Sequence, residues 1–170
     1  RFARHIAFLW RDGALLPVEH PDPIRLSNLK GYEYQRRIAV DNTLAFLNGF
    51  EANNMLLYGD RGTGKSSTVK ALLNEYAEKG LRMIEMPKEY LRQLPDLTGY
   101  LAGLPMKFIL FIDDLSFDRD DGDFAALKAI LEGSASGRPQ NLVVYATSNR
   151  RHLVRETASA RAGDEIHLSD

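Results

Sequence analysis

Short continuous apolar runs recur along the chain, separated by stretches whose apolar residues follow a helical period. Residues 54–58 (NMLLY), 81–86, 108–112 (FILFI) and 142–146 (LVVYA) are each the length of a buried strand and are bounded by glycine or polar residues. Between them, Val40, Leu44 and Leu47 at i, i+4 and i+7 predict a helix over 32–48, stopped by Gly49. Val69, Leu72, Leu73 and Tyr76 form one face of a helix over 65–79, with Gly80 as its C-terminal cap. Residues 88–103 read as helical with a break at Pro95, which begins a new turn but cannot continue one. Phe124, Leu127 and Leu131 give a further helical face, ended by the Gly/Ser-rich loop 133–137.

Strands alternating with helices predict a parallel sheet with right-handed crossovers, an α/β fold. Ligands in such sheets bind beyond the carboxyl ends of the strands. Residues 1–31 form an N-terminal flank holding Pro17, Pro21 and Pro23. Its apolar runs 5–10 and 14–16 are separated by Arg11-Asp12-Gly13, which suits a hairpin. The core covers 32–155. After Arg155 the pattern dissolves into small polar residues, so 156–170 reads as a polar terminal segment.

Composition narrows the class. A chain of 170 residues with 44% hydrophobic and 26% charged content has room for one soluble domain with a sizeable core. Twenty-two basic residues against twenty-three acidic ones give no global charge to recruit nucleic acid or membrane. The absence of cysteine excludes disulfides and thiol chemistry, and suits a reducing cytoplasm. The apolar run 6–10 is too short for a membrane span or secretion signal. Beginning at Arg1 and stopping at Asp170, the sequence reads as an excerpt of a longer protein.

Three strand ends carry chemistry. After the first, Gly59-Asp60-Arg61-Gly62-Thr63-Gly64-Lys65-Ser66, followed by Ser67, matches G-x-x-x-x-G-K-[ST] in full. Glycines let the backbone wrap a phosphate, and the following helix aims its first amides at the same anion. Lys65 reaches the β- and γ-phosphates of a nucleotide, and the Ser66 hydroxyl ligates Mg²⁺. The competing explanation is a glycine-rich turn without a ligand.

FILFI ends in Asp113-Asp114. Beside a phosphate loop, Asp113 suits the Mg²⁺ shell and Asp114 the general base that activates water. Many hydrolysing relatives carry Glu at the second position, one methylene longer. Alone, the pair would read as a cap on the following helix. LVVYA continues into Thr147-Ser148-Asn149-Arg150-Arg151. Asn149 is placed to bond the γ-phosphate or attacking water, with Thr147 and Ser148 as alternatives. Read without its neighbours, Ser-Asn is an ordinary strand-to-loop transition. Arg150, Arg151, Arg155 and Arg161 are surface arginines or contacts to phosphate or a neighbouring subunit.

GDRGTGKSS, FILFIDDLSF and VVYATSNRRHL, with NLKGYEYQ upstream, together resemble a bacterial domain-of-unknown-function family of AAA+-type P-loop ATPases. The resemblance runs over about 22–153. It implies an AAA+-type core binding ATP and Mg²⁺, with Lys65 and Ser66 as Walker A residues, Asp113 and Asp114 as Walker B acids, and Asn149 as the sensor. It places Leu29, Gly31 and Tyr32 by the adenine. Such proteins continue into a fifth core strand, an arginine finger and a helical lid. Nothing in 156–170 reads as any of these, so the expectation is a chain cut before them.

Two functions from different classes follow. One is an ATPase that rearranges an unidentified protein or nucleic-acid client, as a homo-oligomer in the full-length protein. The other is an ATP-gated binding module in the manner of helicase loaders, with little hydrolysis. A small-molecule kinase also uses this loop, but no substrate pocket or lid arginine set is evident. No Asn-Lys-x-Asp segment speaks for guanine.

Overall fold

The structure, a computed structural model, describes residues 1–60, 62–116, 122–132, 139–149 and 165–167. Arg61, Arg150, Arg151, Arg155 and Arg161, the loop 133–137 and the side chain of Phe124 lie outside the described residues. Seven strands form one sheet among them: β1 (Ala7–Arg11), β2 (Ala14–Pro17), β3 (Met55–Tyr58), β4 (Leu81–Glu85), β5 (Lys107–Ile112), β6 (Leu142–Ser148) and β7 (Glu165–His167). Their order is β2-β1-β4-β5-β6-β3-β7, and every pairing except β1 with β2 is parallel. Helices α1 (Glu33–Leu47), α2 (Lys65–Tyr76), α3 (Leu94–Leu101) and α4 (Asp123–Glu132) supply the crossovers.

The sheet divides the core in two. On one face Val69, Leu72 and Leu73 of α2 and Ala39 and Phe46 of α1 pack on Leu57, Ile109 and Tyr145. On the other, Leu94, Leu97 and Leu101 of α3 and Leu127 of α4 pack on Phe108, Leu110 and Val144. Ile109, Leu110 and Ile112 of β5 are fully buried, so FILFI is apolar at every position because both faces are covered.

The break expected near Pro95 is a change of helix type. Lys88–Gln93 is a 3-10 turn and α3 starts beside it, with Pro95 in its first turn where no intrahelical N–H is needed. Between β1 and β2, Asp12 and Gly13 both take positive φ (44° and 86°), as a two-residue hairpin requires. β1 then pairs in parallel with β4, which makes residues 7–17 part of the main sheet.

Three expectations need correction. In α1 the most buried residues are Arg36, Ala39, Thr43 and Phe46, not the Val40–Leu44–Leu47 row. Small Ala39 lets the helix come close to the sheet, and Thr43 earns its buried place by hydrogen bonding. It donates to the Ala39 carbonyl at 2.8 Å and lies 2.7 Å from the Tyr145 hydroxyl. Next, β6 runs on through Thr147 and Ser148, because pairing with Leu57 and Tyr58 of β3 carries these polar residues inside the sheet. Finally, a fifth core strand is present: β7 pairs with β3 within the segment read as strandless. Three residues with one apolar member are too few for a periodic pattern; pairing alone defines this strand.

Candidate nucleotide site

At the carboxyl ends of β3, β5 and β6 lies a cavity of about 370 Å³, lined by Gly62, Gly64, Lys65, Ser66, Ser67, Asp113, Asp114, Thr147 and Asn149. The loop from Gly59 connects β3 to α2, and its first amide donates to the Ser148 carbonyl at 3.2 Å. Gly62 and Gly64 have φ of 81° and 84°, a region that side-chain-bearing residues avoid. Gly64 is the N-cap of α2 and offers no side chain to cap it, so the first amides of that helix face the cavity side uncapped.

Lys65 is buried at the start of α2. Its ammonium donates to the carbonyls of Gly59 at 2.9 Å and Asp60 at 2.7 Å, which orients it along the loop. Thr63 closes the turn by donating to the Asp60 carbonyl. Among the described residues Lys65 is the cation in the cavity lining.

The two acids are joined to the other strand ends by hydrogen bonds. Ser66 Oγ donates to Asp113 Oδ1 at 2.8 Å, and Thr147 Oγ1 donates to the same oxygen. The Asp114 amide donates to Thr147 Oγ1 at 2.9 Å, while Asn149 Nδ2 donates to Asp114 Oδ1, also at 2.9 Å. Asp114 adopts φ of 60°. Among the described residues the helix after the pair is α4, which starts at Asp123, too far along the chain for either acid to cap it.

Ser66 and Asp113 present oxygen donors alone, the chemistry of a hard divalent cation such as Mg²⁺. No cluster of three or more His, Asp or Glu among the described residues would cage an ion unaided. Leu29, Gly31 and Tyr32 shape the turn into α1 and do not line this cavity.

Three residues escaped the sequence. Lys88 follows β4, donates to the Asp114 carbonyl at 3.3 Å and pairs with Asp123 at 3.5 Å. Asp123 in turn accepts from the Ser116 amide at 3.1 Å, so the pair braces the loop after the acids. Glu85 ends β4, and its carboxyl is pushed above its ordinary range by burial, opposed by Lys70 and reinforced by Asp113. The rule that ligands meet strand carboxyl ends was a sufficient signal for Lys88 and Glu85.

The family described as Protein of unknown function (DUF815) matches residues 3–170. The chain belongs to that family. The DUF815 chain is 31% identical over 119 residues to Holliday junction branch migration complex subunit RuvB 2 of Synechococcus sp. (strain JA-3-3Ab), covering 65% of this chain and 31% of that protein. Replication factor C large subunit of Nanoarchaeum equitans (strain Kin4-M) is 28% identical over 120 residues, 66% of this chain and 28% of its own length. The chain thus spans about a third of the curated relatives it matches.

Solved structures agree in fold. C. elegans PCH-2 superposes with a TM-score of 0.60 at 19% identity, covering 83% of the DUF815 chain and 44% of its own. The Thermotoga maritima RuvB Holliday junction branch migration motor gives 0.53 at 20% identity, covering 85% and 47%. These are AAA+ ATPases, and the DUF815 chain carries their core fold.

Proposed function

We propose that this chain is the ATP-binding core of a cytoplasmic AAA+-type ATPase that hydrolyses ATP to rearrange a protein or nucleic-acid client, working as a homo-oligomer. The observation that carries the reading is the continuous hydrogen-bonded line from Ser66 through Asp113 and Thr147 to Asp114 and Asn149. It gathers two hydroxyls, two carboxylates and an amide against the phosphate-loop helix. The names of two relatives, a Holliday junction subunit and a replication factor subunit, keep a nucleic-acid client beside a protein one.

The arrangement supports a role for each residue in this reading. Lys65 and the first amides of α2 hold the β- and γ-phosphates. Ser66 and Asp113 hold Mg²⁺, which when bound neutralises charge on the phosphate oxygens. Asp114 accepts a proton from the attacking water, and Asn149 fixes the Asp114 carboxylate while sensing the terminal phosphate.

Asp114→Asn in the full-length protein is expected to keep ATP affinity and lose turnover by about 100-fold or more, as removal of a general base does. Lys65→Ala serves as the binding-deficient control, with ATP affinity lost by calorimetry. Normal turnover in Asp114→Asn would sink the base assignment. The ATP-gated module is favoured by a different result: client capture that depends on ATP and survives Asp114→Asn. The shortness of Asp114 and its bond to Asn149 are the observations behind that second reading.

A further inference from the structure

Thr147 stands out in this cavity because its one hydroxyl is bonded to both acid residues, to the carboxylate of Asp113 and to the backbone amide of Asp114. It is 1% exposed and sits on β6 between β5 and β3. Its Oγ1 gives its proton to Asp113 Oδ1 and takes the amide proton of Asp114. Its own carbonyl accepts the Leu115 amide at 2.8 Å. One residue therefore grips three consecutive positions of the acid-bearing loop from the neighbouring strand.

The backbone explains why such a grip is needed. Asp114 lies at φ 60°, a left-handed conformation that costs an ordinary residue roughly 1–2 kcal/mol. Beyond β5 the loop leaves the sheet ladder, so nothing regular holds the Asp114 amide. The Thr147 hydroxyl supplies the acceptor that this turned peptide would otherwise lack. The same hydroxyl fixes which way Asp113 turns, sharing Oδ1 with Ser66.

We propose that Thr147 is the positioning residue of the site: its single hydroxyl sets the metal-side acid Asp113 and the base Asp114 in register with each other. This deepens the ATPase reading and rests on it for the roles of the two acids. The side chain acts through Asp113 and Asp114 rather than by touching phosphate. Its γ-methyl and hydroxyl are isosteric with the two methyls of valine, so the proposal can be separated from packing.

The test uses the full-length protein with three readouts. Thr147→Val is expected to bind ATP in EDTA as the parent does. Its Mg²⁺ requirement for tight ATP binding rises about 10- to 100-fold, the usual effect of removing a ligand's hydrogen-bond partner. Thr147→Ser keeps the hydroxyl and is expected to restore the Mg²⁺ requirement to within about threefold. By NMR the Asp114 amide is protected from exchange in the parent and exchanges about tenfold faster in Thr147→Val, with the Leu115 amide little changed.

A Thr147→Val protein with the parent's Mg²⁺ requirement overturns the proposal, as does a serine variant that folds but behaves like valine. Equal loss of affinity with and without Mg²⁺ assigns Thr147 a merely structural part and also overturns it. If the valine variant does not fold, the parent's Asp114 amide decides: an unprotected amide ends the proposal. A parent that binds no ATP overturns the ATPase reading instead, and the same amide still reports whether Thr147 holds the acid loop.

Discussion

Asp114 shows how backbone conformation selects a side chain. Left-handed φ is tolerated several-fold better by Asp and Asn than by longer residues. An aspartate therefore suits the turn at position 114, and Asn149 at 2.9 Å fixes the orientation of its carboxylate. Glu85 is the neighbouring residue under electrostatic tension. Its folded pKa is raised by burial, with Asp113 adding to the shift and Lys70 opposing it. A carboxyl raised in this way stabilises the fold fully below its ordinary value of 4.5 and loses that contribution as pH rises through the folded value. At neutral pH its charge is a cost. Glu85→Gln is therefore expected to raise the melting temperature at pH 7, with the gain disappearing by about pH 4. Thermal unfolding at the two pH values checks this; an equal gain at both would refute the electrostatic origin.

Among the elements, the hairpin of β1 and β2 has the largest structural consequence. Ala7, Phe8, Trp10 and Leu15 are buried, and the Trp10 indole donates to Gln93 Oε1 at 2.7 Å. Each large buried side chain is worth about 1.5–3 kcal/mol, against a typical total stability of about 5–15 kcal/mol. Removing residues 1–17 also bares the edge of β4, whose first four residues are buried. The shortened chain is expected to melt at least about 10 °C lower and to associate, on the scale of several kcal/mol lost. A monomer by light scattering with unchanged melting would contradict this. How far elements could be read from sequence depended on what sets them. FILFI and the phosphate loop were legible because burial on two faces and phosphate contact each leave a dense local pattern. The inner face of α1 was not, since Ala39 and Thr43 are buried for closeness and a hydroxyl bond rather than for apolar bulk. Likewise Thr147 and Ser148 look like loop until their partners Leu57 and Tyr58 are known.

At the scale of the molecule, sheet order does what no single segment reveals. Strands β5 and β6 are separated in sequence by α4, and β3 is separated from β5 by α2, β4 and α3, yet the three are consecutive in the sheet. The acids, the Thr147–Asn149 end and the phosphate loop thereby become neighbours, and β7 closes the far side of β3. The sequence announced three chemistry-bearing strand ends, and the rule for open α/β sheets put them on one rim; their adjacency came only with the pairing. That adjacency has a metrical consequence. Hydrogen-bonded strands lie about 4.8 Å apart, so the backbones of β5 and β3 are separated by two such steps, about 10 Å, and the side chains of Ser66 and Asp113 reach across the rim to meet. The span is fixed by backbone repeat and not by side-chain length. The sheet acts as a ruler with β6 as its middle mark, and side-chain changes on the rim alter what is held there without resetting the distance.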